Sequence, residues 1–279
     1  MLRKFLALFL LAALIAPRAH AQTVDEILAK HFKAMGGLDN LKKMQTVKLM
    51  GKMSLREGME APITLEKKRP AMQRMEFTFS GMTGVRAFDG THAWALMPFM
   101  GQKTPEQASD DESRQEEADA DFDGPLVDYK AKGHTVELAG KETVDGADAY
   151  KLKVTRKDGK VEYQYIDAET YLLVKREGKD TVRGTEMETE STFGNFKEVA
   201  GLMLPFSFTM GAKGSDQKQT LTIDSIAVNV PMADSRFIMP AAADSSKAAS
   251  KPAASAGDAK ADAAVNGDAK PAESAKKKK

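Results

Sequence analysis

The sequence predicts a mainly β protein of the α+β class, a strongly curved antiparallel sheet with an N-terminal helix and a short helical or loop lid. Three observations predict it. Apolar and polar residues alternate with period two in segment after segment between Gln45 and Val230. Asp89-Gly90, Asp145-Gly146 and Asp158-Gly159 separate such segments, and Gly accepts the positive φ that a tight hairpin turn needs. Helical periodicity is strong only near the start, so few helices are available to cover a sheet of ten or more strands, which must curl, close or split.

Taken in order, residues 1–21 run from Arg3 and Lys4 through the apolar stretch Phe5 to Ala16 and end in Ala19-His20-Ala21. This is the layout of a secretory signal peptide cleaved after Ala21, and its apolar run is too short to span a bilayer. Thr23 and Glu26 have capping-box spacing, and Val24, Ile27, Leu28, His31, Phe32 and Met35 recur at helical spacing until Gly36 and Gly37. Leu38, Leu41 and Met44 predict a second short helix. Strands are expected near 45–55, 61–68, 71–79, 83–88, 91–98, 133–139, 147–156, 160–167, 170–176, 183–195, 203–211 and 217–230. The interruption at 104–130 opens with nine acids and one Arg before Leu126 and Val127, and is expected to form a helix or loop that covers the sheet. Residues 241–279 hold 15 Ala, 8 Lys and 5 acids with no Leu, Ile, Phe or Met, which predicts a disordered tail. Its last four lysines suit a solubilising end or transient contact with an anionic membrane surface. One domain, 22–240, remains between these ends.

That domain carries 30 basic and 35 acidic residues, a balance that argues against a nucleic-acid partner. The chain has no Cys, which excludes disulfides, thiolate chemistry and an N-terminal lipid anchor on cysteine. Asp119, Asp121, Asp123 and Gly124 begin like a calcium-binding loop, but the twelfth position, which should be a bidentate Glu, is Lys130. His31, His92 and His134 have no metal-ligand spacing, and nucleophile elbows and phosphate-binding glycine loops are absent. No metal, no cofactor and no catalytic residues are therefore expected.

Methionine stands out, with 16 in the chain and ten of them between Met35 and Met100. Unbranched, polarizable Met re-packs around ligands of varied shape, and it also fills ordinary cores. In a strongly curved sheet, one side of each strand lines either an apolar pocket or a helix-filled core. The candidate lining residues are Met53, Met75, Phe77, Phe79, Trp94, Leu96, Leu152, Val154, Tyr163 and Tyr165, each alternating with polar or small neighbours.

Several phrases carry a family resemblance: AQTVDEILAKHFKAMGGLDNLKKMQTVKLMGKM at 21–53, FDGTHAWALMP at 88–98, the run from Ala120 to Val154, YIDAETYLLVKRE at 165–177, VAGLMLPFSF at 199–208 and NVPMADSRFIMP at 229–240. In these the chain resembles the outer-membrane lipoprotein-sorting proteins of the LolA/LolB-like superfamily, in a variant, uncharacterised branch. The resemblance implies an unclosed β-barrel with helices plugging its open side, around an apolar cleft that takes acyl chains of lipoproteins or other lipids. It implies a soluble periplasmic carrier or binding protein, not an enzyme. The alternative is a non-catalytic envelope sensor or scaffold that uses the same fold to bind protein partners.

Overall fold

The computed structural model describes residues 22–241 apart from 57, 183 and 184. The expected signal peptide and all of the expected tail after Ala241 lie outside the described residues. Helix α1 (Val24–Ala34) and the short α2 (Leu38–Lys43) precede strands β1 (Thr46–Arg56), β2 (Met59–Lys68), β3 (Met72–Phe79), β4 (Met82–Phe88), β5 (Ala93–Leu96) and β6 (Glu106–Gln107). Helix α3 (Asp110–Ala120) follows, then β7 (Thr135–Val144), β8 (Ala147–Thr155), β9 (Val161–Asp167), β10 (Leu173–Val182), β11 (Thr185–Val199), β12 (Leu202–Ala212) and β13 (Gln219–Val228).

All thirteen strands form one antiparallel sheet in the order β6-β5-β4-β3-β2-β1-β13-β12-β11-β10-β9-β8-β7. The strand edges β6 and β7 do not pair, so the barrel is unclosed. Helix α3 lies against β3, β4 and β5, while its Gln115 accepts a hydrogen bond at 3.5 Å from Lys160, which precedes β9 on the opposite arm. The sheet must therefore curve around α3. Register shifts at Met50/Gly51, Leu138/Gly140 and Leu173/Lys175 supply local bends. Gly51 is required at the first of these, because a Cβ there would lie 2.1 Å from the Thr222 carbonyl oxygen.

Cross-strand partners share a face, so the register sorts the side chains. Met53 pairs Leu221, Leu221 pairs Phe208, and Phe208 pairs Phe193. Ile63 pairs Phe77, Leu65 pairs Met75, Leu152 pairs Gln164, and Gln164 pairs Arg176. These residues line the inner face, which the helices cover. Helix α1 lays Ile27 and Leu28 on Val136, Tyr150, Leu152, Val154 and Ile166, with Leu126 closing the cluster. Each such buried aliphatic side chain contributes about 1.5–3 kcal/mol.

Helix α3 has little apolar surface and is held otherwise. Ser109 caps it in a capping box with Glu112. Ala120 packs on Phe88 and Ala93, Arg86 pairs with Glu116 at 2.8 Å, and Lys67 Nζ donates to the Asp119 carbonyl.

The convex face of β1–β5 is covered by the segment after β13. Thr46 Oγ1 donates to the Val230 carbonyl at 2.7 Å, Lys68 Nζ to that of Met232 at 2.7 Å, and Trp94 Nε1 to that of Phe237 at 2.7 Å. Arg236 adds a charged bond to the buried Glu66 at 2.6 Å.

Candidate functional site

Between α1, α2 and the inner face of β10–β12 lies a cavity of about 310 Å³. Its helical wall is the continuation of the α1 stripe, His31, Phe32 and Met35, followed by Leu41 of α2 and Met44 just after it. Its sheet wall is Gln164, Leu172, Leu173, Arg176, Phe193, Phe196 and Met203 to Pro205, and its cover is the loop Phe122 to Val127.

The cover is fastened by charge. Arg69 stacks on the Phe122 ring at 4.5 Å, pairs with Asp123 at 2.5 Å, and donates to the carbonyls of Met44 at 2.6 Å and Leu41 at 3.0 Å. Lys132 holds Asp121 at 2.7 Å and the Gly124 carbonyl at 2.7 Å. Asp119 accepts from Gln115 at 3.4 Å. The acidic run that begins like a calcium loop thus spends its carboxylates on these contacts. Among the described residues no group of three or more His, Asp or Glu is arranged to hold a metal.

The far rim is set by a close backbone approach. Met203 N–H donates to the Met35 carbonyl at 3.1 Å, and a Cβ on Gly36 would lie 2.0 Å from the Gly201 carbonyl oxygen. His31 donates from Nδ1 to the Tyr171 carbonyl at 2.8 Å. Burial pushes its pKa below the ordinary 6.5, which favours the neutral imidazole.

A smaller polar chamber of about 50 Å³ lies beside the cavity under α3, walled by Gln115, Asp119, Arg156, Glu162, Arg176 and Ser191 among others. Glu162 is engaged by Arg156 at 2.8 Å and Gln164 at 2.6 Å. Arg176 borders both spaces.

The ten expected lining residues divide. Met53 and Met75 pack on Ile63, Phe206, Leu221 and Ile223 in the middle of the inner face. Phe77 and Phe79 meet Phe99 with ring centroids 5.3 and 6.0 Å apart at one end of that face. Leu152 and Val154 are fully buried beneath α1. Trp94 and Leu96 lie on the convex face, clustered with Val85 and Ala87, and so do Tyr163 and Tyr165, which pair with Glu177 and Lys175. Tyr165 OH donates to Glu177 at 3.0 Å. None of the ten lines the cavity. Of the residues that do, His31, Phe32 and Met35 belong to the helical stripe visible in the sequence, and Met203 to Pro205 to the apolar run VAGLMLPFSF, which period two reads as a strand without assigning it to a cavity.

The model of a family described as "-like: Uncharacterized protein" matches residues 87–240, more than half of the chain. The chain belongs to this family. No curated protein matches it. Solved structures share the fold of this family member. A DUF1329 family protein from Desulfovibrio piger superposes with a TM-score of 0.55 at 14% identity, over 78% of this chain and 98% of that one. A LolA superfamily protein from Nitrosomonas europaea gives 0.51 at 19% identity, over 78% and 98%. A domain described as an outer membrane lipoprotein-sorting protein from Vibrio parahaemolyticus gives 0.51 at 14%, over 76% and 94%. The LolA-like resemblance of the sequence is thus a likeness of fold. No described helix is long and apolar enough to cross a membrane.

Proposed function

We propose that this protein is a non-catalytic carrier or binding protein of the periplasm that holds acyl chains of lipoproteins or other lipids between its helices and the inner face of its sheet. The observation that carries the reading is the cavity of about 310 Å³ on the concave side of an unclosed LolA-like barrel, walled largely by Phe, Met, Leu and Pro. That volume lies at the lower end of small-molecule pockets, about 300–1,000 Å³. An acyl chain in water is unfavourable by about 0.8 kcal/mol per CH₂, so a carrier needs an apolar wall and a cover that opens. The Arg69-Asp123 clasp supplies a cover joined to the barrel by polar contacts.

The test is native mass spectrometry of the protein recovered from a bacterial periplasm, with lipid extraction of any adduct, followed by titration with a triacylated lipopeptide and with palmitate. Co-purified acyl species or saturable uptake are expected. A clean apo mass together with no uptake of either probe would sink the reading.

A further inference from the structure

Arg176 is the one arginine that borders both the apolar cavity and the polar chamber under α3. It stands on the inner face of β10, paired across the strands with Gln164 and Ser191. The acids near it are engaged elsewhere: Glu162 with Arg156, Asp119 with Gln115, Asp123 with Arg69. Its own guanidinium makes no hydrogen bond or ion pair among the described residues. Such a group, half-buried and without a protein partner, is free to make a charge-assisted hydrogen bond to an anion.

The surroundings reinforce the charge. The chamber is walled by Arg156, Lys160, Arg176 and Lys179 against only Asp119 and Glu162. Half-buried Lys67 lies close enough to Arg176 to be repelled by it, and close to Asp119, Asp121 and Glu116. Arg156 is already paired with Glu162 and Lys179 with Glu186, so an incoming anion would meet Arg176 and Lys160 as the chamber's cations without a carboxylate partner among the described residues, and the planar fork of an arginine suits a carboxylate or phosphate.

We infer that Arg176 is a head-group anchor: the ligand is an anionic amphiphile whose acyl chain lies in the cavity beneath α1 and α2 and whose carboxylate or phosphate is taken by Arg176 at the chamber's edge. The inference rests on the carrier reading and narrows its ligand class. A neutral amphiphile of equal chain length is bound less tightly, since it leaves the guanidinium unpaired.

The whole chain is titrated with palmitate, palmitoyl lysophosphatidate and hexadecanol, which share a chain and differ in head group. Palmitate or lysophosphatidate is expected to bind at least about tenfold more tightly than hexadecanol, as a charge-assisted contact requires. The better of the two identifies a fatty acid or a phospholipid source. Arg176→Met is expected to abolish the preference, and Arg176→Lys is expected to retain part of it. Equal affinity of the wild-type protein for all three probes would overturn the anchor and leave the carrier reading standing. Binding of none would overturn both. A preference that persists in Arg176→Met would assign the anion to another cation and overturn the inference.

Discussion

The indole Nε1 of Trp94 donates to the main-chain carbonyl of Phe237 at 2.7 Å, and both residues are buried on the convex face of the sheet. This bond closes a strap that begins at Asn229, whose N–H bonds the Thr46 carbonyl at 2.8 Å. Replacing Trp94 by Phe keeps an aromatic ring, though a smaller one, but leaves a buried carbonyl without its donor, an expected loss of at least about 1–3 kcal/mol. Urea unfolding should show it, with acyl-probe affinity unchanged because the residue faces away from the cavity. A loss of affinity at full stability would contradict the assignment of faces.

Gly36 has φ of 102° and no room for a Cβ against the Gly201 carbonyl. Gly36→Ala combines backbone strain with a backbone clash and is expected to destabilise by at least about 2 kcal/mol. The comparison is Gly37→Ala, which has φ of 96° but open space around a Cβ and should be the milder change in a denaturation midpoint.

Stability should decline on acidification in two windows. His31 is held below its ordinary 6.5 by burial, so the unfolded chain takes up that proton first. Its contribution is complete above 6.5 and is lost as pH falls toward the folded-state value. Glu190 is held at about 2 against an ordinary 4.5, chiefly by Lys218 and then Lys175. Its contribution is present above 4.5 and is lost as pH falls through about 2. His31→Gln should flatten the first decline and Glu190→Gln the second, read from urea midpoints at successive pH values.

A charge introduced on each face separates function from folding. Phe193 lies in the cavity wall, its ring 5.6 Å from that of Phe208, so Phe193→Asp should weaken acyl-probe binding by at least about tenfold. Tyr163→Asp, on the convex face, should stay within about twofold of wild type. Equal losses at both sites would place the ligand elsewhere.

Alternation and Asp-Gly turns made nearly every strand legible in the sequence. β6 was not, because two residues carry no period. The segment from Ser109 was legible as a helix or loop, and its capping box settles it as α3. The cavity was less legible, since the usual rule that the apolar side of a strand faces the core fails at two places. On β5 the large residues Trp94 and Leu96 face outward because the strap from Asn229 to Phe237 covers them. On β9 the inner positions are Glu162, Gln164 and Ile166, because a polar helix approaches there, while Tyr165 points outward into a lysine and glutamate network. Periodicity gives the phase of a strand, and its neighbours decide which phase is inside.

The seam between β1 and β13 joins two meanders, each built from strands adjacent in the chain. Val47 waits for Val228, roughly 180 residues later, so contacts across the seam are the slowest to form. A chain that emerges N-terminus first therefore presents β1 as a bare template until its last strand arrives. While the chain is still incomplete, this is where it is most open to pairing with the wrong strand and where a holding chaperone would have most to shield.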